Sequence, residues 1–353
     1  MDSLLVFMQL LLGMLGVLGV SATINSGQWP EQLLNVALGL LITFLVSRFN
    51  PRAIAKFNPI IFGGTLIMLV AVLIPSVGLS PDGSESRRWL PFFGSTIQPS
   101  EFAKIAVIVY LAAFFHNHVG RWELWRPTVV IGLVAALIML EPNVSTTLFV
   151  FALAFTIMLS AGTTLTRLAS VTFSAAIVAT LFAGLYLSQF GYLQDRITAF
   201  FDARGEQEYD ETLSYQAIQA QKVLLDSGFM GIGPGRPVPV PEAHTDMVAI
   251  SVAQSLGLTG IASLIIAYIV IAWRGIRIGS LHHGPGSLLA AGAAAYICGQ
   301  AGLNLLVASG MLPVTGVVLP FVSHGFNNLV SVSIAMGFMH SAYRSFRKEG
   351  VMV

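Results

Sequence analysis

Apolar residues in this chain occur in long blocks, and polar residues collect in the segments between the blocks. A membrane-spanning helix needs roughly 20 mostly apolar residues, because the hydrocarbon core of a bilayer is about 30 Å thick. The pattern predicts ten such helices, at about 4–22, 31–46, 59–77, 102–115, 128–140, 145–160, 168–190, 248–273, 288–308 and 329–343. We therefore expect an all-α integral membrane protein, a ten-helix bundle that forms a single polytopic domain over residues 1–353.

Composition agrees with this pattern. Charged residues make up 10% of the chain and hydrophobic residues 55%, whereas about 25% of the residues of an ordinary soluble domain are charged. The formal net charge of +1 gives no reason to expect nucleic acid as a partner. The single cysteine, Cys298, excludes an intrachain disulfide and a cysteine-based metal site.

The basic residues predict how the bundle is oriented. Eleven of the 18 Lys and Arg residues fall in one set of alternate connections and in the C-terminal segment. Short connections rich in Lys and Arg usually face the cytoplasm. We therefore expect both termini of this multi-pass protein to be cytoplasmic. Fourteen of the 17 acidic residues then lie at the outer face, so the chemistry of the carboxylates is expected there.

The longest polar interruption covers residues 189–247 and predicts a large extracytoplasmic loop between the seventh and eighth spans. Apolar residues recur at helical spacing from Leu213 to Leu225, which predicts an amphipathic helix in the membrane interface. Packing of that helix on the bundle is the alternative. The loop ends with Glu242, His244 and Asp246 just before an apolar run. A carboxylate at such a re-entry point usually marks chemistry or transport.

A second polar group lies around the start of the fourth predicted span. Glu101 and Lys104 are three residues apart, so they share a helix face and can form an ion pair. Lys104 falls inside an apolar block, where an ammonium group needs a partner or a water-filled cleft. A structural ion pair and a catalytic role both remain open for the two residues. Arg88, beside Trp89, is either an interfacial anchor or a ligand for a diphosphate.

These residues carry a family resemblance that extends over essentially the whole chain. Arg88-Trp89 with Gln98-Pro99-Ser100-Glu101 and Lys104 resembles one signature of the SEDS (shape, elongation, division and sporulation) family, which includes RodA, FtsW and SpoVE. Further blocks of the family are similar to residues 214–219, 241–246 and 319–325. Two segments depart from its pattern: Ser323-His324-Gly325-Phe326-Asn327-Asn328 stands for Ser-Tyr-Gly-Gly-Ser-Ser, and Pro142-Asn143-Val144-Ser145 for Pro-Asp-Leu-Gly.

The resemblance implies a peptidoglycan glycosyltransferase that polymerises lipid II into glycan strands at the outer face of the membrane. Such a reaction needs a carboxylate to accept the proton of the attacking hydroxyl and cations to stabilise the departing diphosphate. Asp246 is the expected base, since the family treats the acid of that motif as essential. Its alternative is the helix N-cap, for which Thr245 competes. Arg88, Glu101 and Lys104 are the expected supporting residues, with Lys104 orienting Asp246 or contacting phosphate.

The remaining expectations concern two further residues, a cation, a partner and the cellular role. His244 and Glu242 are further candidates, although a single His beside a helix start is more often a hydrogen-bonding residue than a metal ligand. No protein metal site is expected; a divalent cation such as Mg or Mn bridging Asp246 and the diphosphate is the one cofactor considered.

The resemblance also implies a class B penicillin-binding protein as transpeptidase partner. The compact chain ends favour RodA-like elongation over FtsW-like division, and a lipid II flippase and a non-catalytic scaffold are the rival functions.

Overall fold

The computed structural model describes residues 1–23, 26–80, 87–92, 94–117, 124–169, 172–173, 176, 213–234, 236–238, 240, 243–281 and 284–350. Its longer elements are helices joined by short connections. The helices are α1 (Ser3–Ser21), α2 (Trp29–Ser47), α3 (Pro51–Lys56), α4 (Asn58–Leu73), α5 (Pro99–Asn117), α6 (Trp125–Leu140), α7 (Val144–Ser160), α8 (Leu213–Asp226), α9 (Val248–Gly279), α10 (Gly284–Ala308) and α11 (Phe326–Lys348). The strands are β1 (Leu90–Phe92) and β2 (Ser95–Ile97), and Ser26–Gln28 is a 3₁₀ turn.

The predicted all-helical membrane bundle is confirmed. Five helices within the described ranges are long and apolar enough to cross a membrane, namely α1, α2, α5, α9 and α10, and α4, α6 and α7 are shorter apolar helices. The ends of the spans were predicted less accurately: the third predicted span was drawn to residue 77, but α4 stops at Leu73, and the eighth was drawn to residue 273, but α9 continues to Gly279. Most of the seventh predicted span, 168–190, and the first part of the predicted loop, residues 189–212, lie outside the described residues. That loop assignment therefore stays a prediction.

Helix α5 occupies the centre of the bundle. Most of its residues are buried, and it packs against α4, α7, α10 and α11. A helix that is apolar on all sides is expected inside a bundle, but α5 also carries Glu101 and Lys104 into that interior. The central position of α5 therefore obliges the surrounding helices to supply polar partners for two charged groups.

The connection before α5 contains a small hairpin that the hydrophobic pattern did not predict. Strands β1 and β2 pair antiparallel, with Leu90 opposite Ile97. Asn327, near the start of α11, accepts a hydrogen bond from the backbone N–H of Gln98 at 3.2 Å and donates one to the carbonyl oxygen of Thr96 at 3.0 Å. The hairpin and the first turn of α5 are thereby fixed to α11.

Helix α9 is broken at Gly257, whose φ of 65° lies in the left-handed region. The segment that follows α8 lies against this break: the backbone N–H of Ile232 donates to the carbonyl oxygen of Gln254, and that of Leu258 donates to the carbonyl oxygen of Gly228. A Cβ atom on Gly231 would lie 2.5 Å from the backbone carbonyl carbon of Ser255. Two backbones thus cross at contact distance, and the crossing fixes the N-terminal part of α9.

Candidate active site

Asp246 lies in the turn directly before α9 and is half-buried. Its backbone carbonyl oxygen accepts a hydrogen bond from Asn304 Nδ2 at 2.7 Å. A Cβ atom on Gly316 would lie 3.5 Å from Asp246 Oδ2, so the carboxylate lies beside a residue with no side chain. The alternative role for Asp246 as a helix N-cap was wrong. Met247 occupies the N-cap position of α9, which leaves Asp246 and Thr245 outside the helix.

The backbone around Asp246 is fastened to the connection that precedes α11. Ser323 Oγ donates to the carbonyl oxygen of Thr245 at 2.6 Å. The backbone N–H of His324 donates to the carbonyl oxygen of His244 at 2.9 Å. Two blocks of the sequence that are far apart in the chain therefore meet at the candidate base, and each bond restricts where its carboxylate can move.

His244 and His324 form a pair of neighbouring rings, with centroids 6.4 Å apart. The Nδ1 atom of His324 is hydrogen-bonded to Gln32 Oε1 at 3.1 Å. Burial lowers the pKa of His324, while the negative charge of Glu31 acts in the opposite direction. Among the residues that the structure describes, no group of three or more His, Cys, Asp or Glu side chains could hold a metal ion. Glu242 lies outside the described residues, so its predicted role is unchanged.

Glu101 and Lys104 form the ion pair that their spacing predicted. Lys104 Nζ lies 2.6 Å from Glu101 Oε1, and both side chains are buried. Lys104 Nζ also donates to Gln300 Oε1 at 2.8 Å and lies 4.8 Å from the ring centroid of Tyr296. A cation over an aromatic face is stabilised by the charge distribution of the ring. The ammonium group is thus held by an anion, an amide and an aromatic ring.

The second oxygen of Glu101 is equally well satisfied. Its Oε2 atom accepts hydrogen bonds from Tyr296 OH at 3.0 Å, Asn328 Nδ2 at 2.9 Å and Ser331 Oγ at 3.1 Å. A buried charge is tolerated when such partners replace its lost hydration. The geometry favours the structural ion pair, one of the two roles left open by the sequence, because the network joins α5, α10 and α11.

Three polar residues on one face of α10 connect this ion pair to the turn that carries Asp246. Tyr296, Gln300 and Asn304 are four residues apart in succession, which places them in a row along the helix. Tyr296 contacts Glu101, and Gln300 contacts Lys104. Asn304 Nδ2 donates to the carbonyl oxygen of Asp246 and also to that of Val317 at 2.6 Å. The row therefore links both the ion pair and the turn of the candidate base to the same helix.

Arg88 lies in the connection before β1 and reaches the end of α6. Its Nε atom donates to the carbonyl oxygen of Glu141 at 3.0 Å, and its Nη2 atom donates to that of Pro142 at 2.7 Å. The side chain is half-buried. Arg88 therefore fixes the turn after α6, a role that neither the anchor nor the diphosphate interpretation had foreseen. Its positive charge remains suited to a diphosphate.

Several residues of this site were missed by the sequence interpretation. They are Tyr296, Gln300, Asn304, Asn328, Ser331 and Glu141. Their signal was available for α10, because Gln300 and Asn304 interrupt an apolar span at a spacing of four residues. For Asn328 the signal was the departure from the family pattern in the block before α11: the altered residue is a ligand of Glu101.

Comparison with known proteins decides the family. A family model described as "Cell cycle protein", which covers FtsW, RodA and SpoVE, matches residues 2–348. The chain belongs to the FtsW/RodA/SpoVE family. Among its curated relatives, a probable peptidoglycan glycosyltransferase FtsW of Thioalkalivibrio sp. is 29% identical over 357 residues, which cover 95% of this chain and 87% of the relative. The stage V sporulation protein E of Bacillus subtilis is 29% identical over 373 residues and 98% of both chains.

Solved structures of similar chains share this fold. One similar chain comes from a study of how a peptidoglycan synthase complex coordinates polymerization and crosslinking, with a TM-score of 0.80, 24% identity and coverage of 98% of both chains. The rod shape determining protein RodA of Thermus thermophilus matches with a TM-score of 0.70 and 22% identity, over 97% of this chain and 96% of that one. The all-helical, RodA-like fold of this multi-pass membrane protein is thereby shown.

Proposed function

We propose that this protein, a peptidoglycan glycosyltransferase of the FtsW/RodA/SpoVE family, polymerises lipid II into glycan strands at the outer face of the cytoplasmic membrane. The observation that carries the proposal is the setting of Asp246. Its carboxylate is half-buried beside Gly316, while its backbone is held by Asn304 and its neighbours by Ser323 and His324. A preorganised and still accessible carboxylate is what a general base requires.

In the proposed reaction, the 4-hydroxyl of the acceptor sugar attacks the anomeric carbon of a lipid-linked donor. The hydroxyl proton passes to the carboxylate of Asp246, the new glycosidic C–O bond forms, and the bond from the anomeric carbon to the diphosphate breaks. Undecaprenyl diphosphate leaves with the bonding electron pair. Its developing negative charge needs a fixed cation nearby, and Arg88 is the residue that we assign to this task.

Lys104 plays a different part in the proposal. Because its ammonium group is buried between Glu101, Gln300 and the ring of Tyr296, we assign it to holding α5 against α10 rather than to direct contact with phosphate. Through Gln300 and Asn304 on α10, the pair helps to place the turn of Asp246. A divalent cation between Asp246 and the diphosphate remains a prediction that metal titration of the polymerising enzyme tests.

The deciding experiment assays the purified protein with lipid II for glycan polymer, alone and with a class B penicillin-binding protein. The variant Asp246→Asn is compared with Asp226→Asn, which makes the same chemical change at an exposed acid at the end of α8. Wild type and Asp226→Asn are expected to form polymer. Asp246→Asn is expected to form none while it keeps the unfolding temperature of the wild type.

Each rival function has its own outcome in this experiment. Translocation of lipid II across vesicles without polymer would favour the flippase. Polymer from Asp246→Asn would remove the proposed base, and the absence of polymer from wild type with its partner would favour the scaffold. The position of the charged residues supports the enzyme over the flippase, because Glu101 lies in the first turn of α5 and Asp246 precedes the first turn of α9, whereas a transporter is expected to hold such groups near the middle of the bilayer.

The cellular role, the orientation and the partner are finer parts of the proposal. We keep elongation as the predicted role, with division as its alternative, since both use the same reaction and the site does not separate them. Rescue of shape in a strain depleted of its elongation polymerase, against rescue of septation in one depleted of its division polymerase, tests this choice. Cytoplasmic termini and a transpeptidase partner are proposed with it. The similarity to a chain from a peptidoglycan synthase complex supports the partner.

A further inference from the structure

Glu141, the residue that follows the last turn of α6, has a fully buried side chain. Its relative exposure is 0%. Neither Oε1 nor Oε2 has a hydrogen-bond partner among the residues that the structure describes. This contrasts with Glu101, whose two carboxylate oxygens together accept bonds from four side chains. The surroundings of Glu101 therefore suit an ionised carboxylate, and those of Glu141 suit a neutral carboxylic acid.

The backbone at Glu141 is also shaped around Arg88. The guanidinium group donates to the carbonyl oxygens of Glu141 and Pro142. The guanidinium group bonds the carbonyls of the turn, while the carboxyl group of the same turn is left without a donor.

The burial of Glu141 determines whether its carboxyl group is protonated. A buried carboxylate without donors is strongly disfavoured relative to the neutral acid. Burial raises the pKa of Glu141 to about 8, and the positive charge of Arg88, which acts in the opposite direction, is too weak to reverse this. Arg88 is the charged group whose field acts on Glu141 within the described part of the chain.

We propose that Glu141 is a positioning residue, a neutral acid that lets Arg88 keep its bonds to the turn and its positive charge for a diphosphate ligand. Ionisation of Glu141 would place a negative charge beside the guanidinium group and draw it into an ion pair, at the expense of the ligand. The step is a proton transfer from Glu141 to solvent base, with no other bond changed. The inference rests on the proposed function, because the ligand of Arg88 is taken there to be the diphosphate of the lipid substrate.

The first test measures the KM for lipid II as the pH is raised from about 6 to about 9, across the pKa of the acid. For wild type the KM is expected to rise several-fold above pH 8. In Glu141→Gln, a neutral side chain of the same shape, the KM should stay at the low-pH value of the wild type. Asp226→Asn, the exposed control, should follow wild type. A raised KM for Glu141→Gln at low pH, or a pH dependence equal to that of wild type, would overturn the proposal.

A second test does not depend on catalysis. Infrared spectra of the protein in vesicles at neutral pH should contain the C=O stretching band of a protonated carboxyl group, which Glu141→Gln should lack and Asp226→Asn should keep. Absence of that band would refute the neutral acid. Binding of undecaprenyl diphosphate, with undecaprenyl monophosphate for comparison, is measured over the same pH range. If wild type forms no polymer, the proposed function fails, while these two measurements still decide the role of Glu141.

Discussion

Asn304 donates from Nδ2 to the backbone carbonyl oxygen of Asp246 at 2.7 Å and to that of Val317 at 2.6 Å. One amide group thus joins the turn before α9 to the connection that contains Gly316. The carboxylate of Asp246 lies beside Gly316, where a Cβ atom would be 3.5 Å from Oδ2. The position of the candidate base therefore depends on a residue of α10 that does not need to touch the substrate.

Replacement of Asn304 by Leu should lower kcat while leaving the KM for lipid II close to that of wild type. The substitution removes both hydrogen bonds, and a shift of about 1 Å in a catalytic group can cost roughly 100-fold in rate. Two carbonyl groups also lose their donor, at about 1–3 kcal/mol each if they stay buried. Steady-state polymerisation kinetics measure the first effect. Asn117→Ala, at the exposed end of α5, is the control, and an unchanged kcat for Asn304→Leu would contradict the positioning role.

Replacement of Gly316 by Ala should impair activity more than stability. The φ of Gly316 is 73°, so a side chain there costs about 1–2 kcal/mol. The new methyl group would also lie 3.5 Å from Asp246 Oδ2 and displace water or substrate from the carboxylate. Gly94→Ala is a matched control, since Gly94 has a φ of 79° with no atom within 4 Å of its Cβ position. Equal loss of activity in both variants would show that backbone strain alone is responsible.

Single and double substitutions separate the two roles of the ion pair. Glu101→Gln or Lys104→Met alone leaves a buried charge without its partner, which typically costs about 3–5 kcal/mol. The double variant Glu101→Gln/Lys104→Met should recover much of the stability, because no charge remains unpaired. Thermal unfolding in detergent tests this expectation. If the pair is structural, polymerisation should recover together with stability, whereas a stable and inactive double variant would indicate a direct catalytic role.

The stability of the protein should depend on pH through Glu141. Its pKa is raised from 4.5 to about 8 by burial, so between these values the unfolded chain is ionised and the folded protein is not. The contribution of Glu141 to the free energy of unfolding is fully present below about pH 4.5, falls as the pH rises, and is lost near pH 8. The loss is at most about 5 kcal/mol. Glu141→Gln should therefore unfold at a higher temperature than wild type at pH 8, and an equal or lower temperature would contradict the raised pKa.

Much of the bundle could be predicted because the signal for a membrane helix is local. Blocks of apolar residues gave nine of the described helices, although the Pro51–Lys56 helix and the β-hairpin were too short to be recognised. The pairing of Glu101 with Lys104 followed from their spacing alone. Asn304 and Ser323 could not be assigned in this way, because their partners, Asp246 and Thr245, are 58 and 78 residues away. Glu141 was missed because nothing in its local sequence indicates that its carboxyl group lacks a donor.

The crossing at Gly231 and Gly257 makes these two positions dependent on each other. A Cβ atom on either glycine would overlap the backbone of the opposing segment, and both residues have a positive φ. Shortening a neighbouring side chain cannot relieve such an overlap, since the atoms in the way belong to the main chain. In a saturation mutagenesis screen, both positions should therefore tolerate glycine alone, and no second-site suppressor should arise at the partner position.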